Sequence, residues 1–520
     1  PASLTGGGLC SIFAHSPPPG VHRVREEDAK GGQRMRHGYL KNAALLTGAD
    51  VMLRLAGMGL RIYLANALGG EGMGLYQLVL AVYSLFVTLA TAGVSVGQNR
   101  AQARGMLVRL LAAAAGLGCM ALAGQLALAQ VAAQWWLGDV RAAPALRAAA
   151  FGMPWMAVSA VLRGFFVARR QVKPNVCSQL VEQTVRISAV VLGLGYTAGG
   201  PLEVRCAGVM GCTALSEGIS AGIMLLFYRR EGRRYFKGAA YRAPRQPGRR
   251  IWEILWPVGG GRCLASALHT AENMLVPACL GVYLAGAGGR SAAVTQYGSL
   301  KGMALPLLTF PFGLLGSLSV LLMPEITQAQ LRGEQDRLAA LLDRMLRLTG
   351  YFSALAAALF WVWGVPLAQG LYGSGEAGFY LRVLAPAMPL MYLESMVDGA
   401  MKGLGEQKAV FRYSVWDSIL RIAGVVFLLP RFGMKGFLFV ILGSQYRTAA
   451  LGVWSAAAMD ALAGGACTVG AGGVGCGAVA ALPPGTCVGA GQGCPAGGIG
   501  SGCFWHSAGR GGSSMAPGSG

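Results

Sequence analysis

The 520-residue chain carries 44 Lys and Arg against 22 Asp and Glu, a formal net charge of +22, yet 54% of its residues are hydrophobic and only 13% are charged. With a mean hydropathy of +0.49 it is far more apolar than a soluble globular protein of this length, and its class is that of an integral membrane protein. The cations lie in short segments between apolar runs without an interleaved aromatic patch, which argues against nucleic acid as a partner and for positive loops on the cytoplasmic side of a bilayer. The twelve cysteines form no CxxC pair and no His/Cys cluster at zinc spacing, so no metal and no cofactor are expected. Cys119, Cys177 and Cys212 fall inside apolar runs and read as small packing residues.

Residues 1–34 are polar, rich in Pro and Gly, and precede the first methionine, Met35, after which "RHGYLKNAALL" leads into the first apolar run. They read as a non-native or disordered extension without the pattern of a signal peptide. A helical span needs about 20 apolar residues. Twelve candidates follow, near 42–67, 73–97, 107–133, 146–168, 176–197, 206–228, 253–283, 297–323, 348–371, 379–401, 410–429 and 433–446. Counting Lys and Arg in alternate connections separates a rich set (Arg36 and Lys41; Arg100 and Arg104; Arg169, Arg170 and Lys173; residues 229–250; Arg332, Arg337 and Arg344; Lys402 and Lys408) from a poor one (Arg141, Arg205, Arg290, Arg431 and Lys435). The rich set is expected to be cytoplasmic, and with it the N-terminus.

The most basic connection, 229–250, is expected to be a cytoplasmic linker between an N-terminal bundle, 35–228, and a C-terminal bundle, 251–448. From 449 to 520 the chain is Gly/Ala/Cys-rich and of low complexity, as a change of reading frame near Ser444 to Arg447 would produce. The two bundles resemble each other. Setting "LRAAAFGMPWMAVSAVLRGFF" against "LRVLAPAMPLMYLESMVDGAM" at one ungapped offset pairs Arg147 with Arg382, Met153-Pro154 with Met388-Pro389, Gly164 with Gly399, Glu182 with Asp417, and Arg186-Ile187 with Arg421-Ile422. Such a register marks an internal duplication, and an even number of spans per copy makes the repeats parallel, with a binding site at their interface. The fold class expected is therefore all-α and polytopic, two parallel-repeat six-helix bundles around a central cavity. Prolines within spans (Pro154, Pro257, Pro306, Pro311, Pro386, Pro389) fit kinked helices.

Ionisable groups inside spans cost at least about 2.5 to 3.5 kcal/mol each at the bilayer centre on insertion scales, so they mark function or pairing. Asp50, Arg54 and Arg61 fall on one face of the first span. Two readings stay open for them: a cationic stripe that meets an anionic substrate, or an Asp50 to Arg54 ion pair that holds helices together. Arg54 lies nearer mid-span than Arg61 and is the stronger candidate for substrate. Glu182 with Arg186, and their repeat mates Asp417 with Arg421, stand one helical turn apart and read as structural ion pairs. Arg163, Lys301 and Glu272 are further cavity-lining candidates, as are Glu394 and Asp398. His269 reads as a packed residue, and "GGEGMG" (69–74) as a tight turn between the first two spans. With no GxSxG, HExxH or P-loop present, no catalytic residue is assigned and the chain is not expected to be an enzyme.

Several runs carry a resemblance: "ANALGGEGMGLYQLVLAVYSLFVTLATAG", "VLRGFFVARRQVKPNVCSQLVEQTVRI", "LKGMALPLLTFP" and "GFYLRVLAPAMPLMYLESMVDGAMKGLGEQ", continuing into "DSILRIAGVVFLLPRFGMKGF". Together these are similar to the stage V sporulation protein B family, within the superfamily that also holds the multidrug and toxin extruders and the lipid II flippases. What the resemblance implies is a V-shaped pair of bundles that moves undecaprenyl-diphosphate-linked oligosaccharide across the membrane for spore cortex peptidoglycan or surface polysaccharide. It also implies that Arg54 and Arg61 match the first-helix arginines of the lipid II flippases, although one residue further apart. The partners expected are the bilayer, a polyprenyl-diphosphate-linked saccharide and cell-wall synthases. The alternatives are a cation-coupled multidrug extruder, for which Asp50 is the residue to test, and a non-transporting scaffold for those synthases.

Overall fold

The computed structural model describes residues 28–91, 100–169, 171, 173–197, 199–232, 247–286, 288–403 and 407–462. Most of the N-terminal extension, the middle of the basic linker and nearly all of the Gly/Ala/Cys tail lie outside the described residues. Among the described residues there is no strand.

The helices are α1 (Asp28–Ala90), α2 (Arg100–Val131), α3 (Ala143–Ala150), α4 (Met153–Ala168), α5 (Lys173–Tyr196), α6 (Leu202–Phe227), α7 (Pro247–Tyr283), α8 (Gly289–Tyr297), α9 (Leu305–Leu331), α10 (Gln335–Tyr372), α11 (Gly375–Leu384), α12 (Met388–Gly403) and α13 (Gln407–Leu462). A π-helical turn, Gly298–Ala304, joins α8 to α9. Eleven of the twelve apolar segments fall within these helices and the turns that join them, and the remaining one, 73–97, extends past Ala90 into residues outside the described ones. By length and apolarity alone, five described helices can cross a membrane, or six if the pair Val140–Ala150 and Met153–Val167, bent by 44°, is one span. The count covers the described residues alone, and two features of the chain lower it further. First, α1 and α13 each hold two expected spans, joined across a glycine with positive φ, Gly69 (φ 69°) and Gly433 (φ 59°). Both turns need the left-handed backbone that glycine adopts without steric cost. Second, helices such as α5 and α12 carry inward-facing charges that lower their hydropathy.

The duplication is visible in the backbone. In the first half a short helix, α3, breaks and restarts as the 16-residue α4 at Met153-Pro154. In the second half α11 breaks through a 3₁₀ turn and restarts as the 16-residue α12 at Met388-Pro389. Proline at the start of a helix loses no hydrogen bond, and its ring blocks continuity with the helix before it, so the Met-Pro pairs set the breaks.

The core runs through both halves. Leu75, Leu78, Phe165, Phe166, Leu146 and Met153 are buried in the first, and Tyr297, Leu300, Tyr392, Leu384 and Met388 in the second. The first half packs α2 on α4 and α5 on α6, the second packs α10 on α11 and α12, and α1 touches elements of both. Of the cysteines expected to be packed, Cys119 and Cys177 are exposed on helix surfaces and Cys212 is half-buried.

Candidate functional site

At the Gly69 end, the halves meet backbone to backbone. A Cβ on Gly298 would lie 2.0 Å from the Gly70 carbonyl oxygen and 2.5 Å from the Gly74 nitrogen, and one on Gly74 would lie 2.0 Å from the Val294 carbonyl oxygen. Four glycines, Gly70, Gly74, Gly298 and Gly302, thus let the second arm of α1 lie directly on α8 and the π turn, as small residues do at membrane helix interfaces. Polar links close the same seam. Arg141 donates to Glu71 at 2.8 Å, Ser291 donates to Glu71 at 2.9 Å, and Arg290 donates to the Leu137 carbonyl. The "GGEGMG" turn is therefore also a junction between the halves.

Further along the seam, Thr270 donates to the Ala81 carbonyl at 3.0 Å and Thr88 donates to Ser266 at 3.2 Å, fastening the second arm of α1 to α7. Toward the Asp50 end, the first arm of α1 faces α9. Arg54 lies over Gly313, where a Cβ would meet its Cδ and Nη1 at 2.9 Å, so the missing side chain makes room for the guanidinium.

The six residues expected to meet substrate are not alike. Arg54 is tied to Asp50, Nε to Oδ2 at 2.8 Å, which is the ion pair that the spacing allowed. Among the described residues Arg61 forms no ion pair, and Tyr76 and Tyr372 are close enough to act on its charge. Lys301, on the π turn, sits in the field of Glu272 and Arg421. Arg163 and Glu272 do not stand alone, because each belongs to a chain of ion pairs.

Those chains occupy the interior of each half and share one order. In the first half Arg163 binds Glu182 at 2.8 Å, Glu182 binds Arg186 at 2.5 Å, and Arg186 binds Glu217 at 3.1 Å. In the second, Arg447 binds Asp417 at 2.6 Å, Asp417 binds Arg421 at 3.3 Å, and Arg421 binds Glu272 at 3.0 Å. Each is base, acid, base, acid, and each is neutral. Both predicted i, i+4 pairs form; the first recruits Arg163 from α4 and Glu217 from α6, and the second recruits Glu272 from α7 and Arg447 from the far arm of its own helix, α13. Glu217 and Arg447 were not singled out from sequence. Glu217 was available as an acid within an apolar run, whereas Arg447 and Ser444, which donates to Asp417 at 2.8 Å, could be placed only by packing. Beside the second chain, a cavity of about 120 Å³ is lined by Glu394, Asp398, Tyr413, Asp417, Ser418 and Arg421. His269 is exposed and not packed as expected; it pairs with Asn273, which accepts from Tyr297 at 3.1 Å.

Two helical bundles built on one repeat, joined along a seam that α1 lines with arginines, define a multi-pass membrane protein with the fold of the MOP-superfamily exporters. Solved structures carry the same fold. The lipid II flippase MurJ, in an inward closed conformation, matches at a TM-score of 0.59 with 11% identity over 79% of this chain and 87% of that one. A MOP superfamily transporter from Pyrococcus furiosus matches at 0.57 with 14% identity over 81% and 98%. The profile of the polysaccharide biosynthesis protein family matches residues 39–311, and the chain belongs to that family. Among curated relatives, stage V sporulation protein B of Bacillus subtilis (strain 168) is 28% identical over 422 residues, 76% of this chain and 79% of the relative. Sporulation protein YkvU of the same organism is 22% identical over 78% of this chain and 91% of its own length.

Proposed function

We propose that the protein is a flippase that moves a polyprenyl-diphosphate-linked oligosaccharide between the leaflets of a bacterial plasma membrane by alternating access, with the N-terminus cytoplasmic. The observation that carries this reading is the first arm of α1. It presents two guanidiniums along the seam between the halves, one held by Asp50 and one with no carboxylate beside it. A planar guanidinium donates paired hydrogen bonds that match phosphate oxygens, and such charge-assisted bonds are about twice as strong as neutral ones. Lys301 adds a third cation across the seam. The likeness to stage V sporulation protein B supports a role in spore cortex peptidoglycan or surface polysaccharide synthesis, with cell-wall synthases as partners.

The test is transport of fluorescent lipid II in proteoliposomes. Arg54→Ala and Arg61→Ala insert and fold normally but lose transport; wild-type rates in both variants would reject the reading. A cation-coupled exporter is the second reading, favoured by the acidic cavity at Glu394, Asp398 and Asp417. It predicts that a sodium or proton gradient drives efflux of an organic cation and that Asp50→Asn abolishes it. A scaffold would translocate neither substrate.

A further inference from the structure

The C-terminal end of α10 stops beside the first arm of α1. Gly373 takes the left-handed conformation (φ 62°) and caps α10 at Tyr372, its N–H bonding the Gln369 carbonyl. Asn66 of α1 donates to the Leu371 carbonyl at 2.8 Å, so the junction is fixed one residue from Tyr372 and five from Arg61. Tyr372 is 5% exposed, and its hydroxyl has no hydrogen-bond partner among the described residues. Buried polar groups are almost always paired, and one that is not calls for a ligand or another explanation. Its surroundings supply one. Among the described residues Arg61 forms no ion pair, and Tyr372 and Tyr76, which act on its guanidinium, carry no negative charge that would neutralise it.

A guanidinium can only donate, and a phenol both donates and accepts. Even if a phenol oxygen accepted from Arg61, its own O–H would remain to be satisfied and the positive charge would remain uncompensated. Both deficits are met by one kind of guest: an anion rich in acceptor oxygens. Asn66 donates to the Ile62 carbonyl at 3.1 Å and to the Leu371 carbonyl at 2.8 Å, so the backbone next to Arg61 on α1 and the backbone next to Tyr372 on α10 meet at this junction. We propose that Tyr372 and Tyr76 complete an anion site at Arg61 that takes a phosphate group, and that an occupant of this site hydrogen-bonds both halves at once. The inference rests on the reading of Arg61 as a substrate ligand and extends it to two hydroxyls, one of which belongs to the opposite half. Occupation then holds the first arm of α1 against α10, and release of the phosphate frees them.

Removing the hydroxyl alone tests this. In lipid nanodiscs, the full chain is titrated calorimetrically with inorganic pyrophosphate and, separately, with undecaprenyl diphosphate. Tyr372→Phe is expected to bind at least one of them about 10-fold more weakly than wild type, the scale of a lost hydrogen bond to a charged group, and Arg61→Ala to bind neither. Loss in both titrations shows that the phosphate suffices, and loss only with undecaprenyl diphosphate shows that the lipid is also read. Without ligand, Tyr372→Phe is expected to melt no lower than wild type, because the hydroxyl it removes is unpaired. Unchanged affinity for both ligands, or a clear drop in the unliganded melting temperature, overturns the proposal. No binding of either ligand by wild type overturns it together with the Arg61 reading. Wild-type flipping of lipid II with Tyr372-independent binding rejects the proposal alone. Tyr372-dependent binding without flipping rejects the flippase reading alone.

Discussion

The contact of α1 with the π turn predicts what a single methyl group does to the balance between conformations. Gly298→Ala places a Cβ 2.0 Å from the Gly70 carbonyl oxygen and 2.5 Å from the Gly74 nitrogen. Both neighbours are backbone, so no rotamer change relieves the clash, and reaching van der Waals contact requires the elements to part by about 1.4 Å. Overpacking of this kind costs typically about 1 to 3 kcal/mol. A two-state transporter can escape that cost by leaving the conformation in which the contact exists. The same energy then appears as a roughly 5- to 150-fold shift of population away from the state closed at the Gly69 end. The assay is modification of a cysteine placed at Ser291, in an otherwise cysteine-free chain, by a membrane-impermeant maleimide. Gly298→Ala is expected to raise its rate by at least 5-fold, and Gly74→Ala, whose Cβ meets the Val294 carbonyl, to act likewise. Gly59→Ala is the control: its Cβ would meet nothing within 4 Å, and it leaves the rate unchanged. Unchanged reactivity in Gly298→Ala with unchanged thermal stability would refute the view that this glycine seam holds the halves closed.

Three further outcomes follow from the charges. Glu182→Gln takes the shared carboxylate from the half-buried Arg163 and Arg186 and is expected to lower the melting temperature in detergent; Asp417→Asn does the same in the second half. Arg61→Lys keeps the charge but loses the paired donors, so lipid II transport falls by about 10-fold or more while the protein still inserts. In the connection between α2 and α3, burial alone would lift the Asp139 carboxyl, but hydrogen bonds from the Arg141 side chain and backbone hold it below its ordinary value. A depressed folded-state value gives stability that is complete above the ordinary carboxylate range and lost as pH falls through the folded value. Melting temperature in wild type therefore declines below about pH 4, and Asp139→Asn removes that part of the decline.

Local features carried through from sequence to structure, and features made by approach of distant helices did not. The Met-Pro pairs break their helices at equivalent points because proline acts on its own backbone. The pairs Glu182 with Arg186 and Asp417 with Arg421 form because one turn of helix brings them together. Arg163, by contrast, looked like a free cation in the fourth apolar run, and only the packing of α4 against α5 and α6 gives it to Glu182 and Ser220. The first-helix arginines show the same limit in another form. Their spacing places both on one face, but whether each is neutralised depends on Asp50 for Arg54 and on the end of α10 for Arg61. Depth in the span ranked Arg54 first; pairing leaves Arg61 as the guanidinium without a carboxylate.

The distribution of paired and unpaired charge bears on how such a machine can move. Each half is laced internally by a chain of two acids and two bases, drawn from three helices in the first half and from α13 and α7 in the second, and opening a link would leave a poorly hydrated group without its partner. Distortion within a half is therefore costly, and the halves are expected to move as bodies. The seam is built differently, from glycine contacts, hydroxyl-to-carbonyl bonds and one carboxylate, Glu71, shared by Arg141 and Ser291. Contacts of that kind can part with modest loss, because each freed group can be hydrated in a widening cavity. The guanidinium of Arg61 stands on this softer surface, where, in the proposed reading, its charge is answered by a visiting anion and not by a fixed acid. A permanent carboxylate there would neutralise the arginine in every state and leave a phosphate no preference among them. With that carboxylate missing, the free energy of binding depends on how closely α1 and α10 approach, which is the differential affinity that any ligand needs to bias a conformational equilibrium.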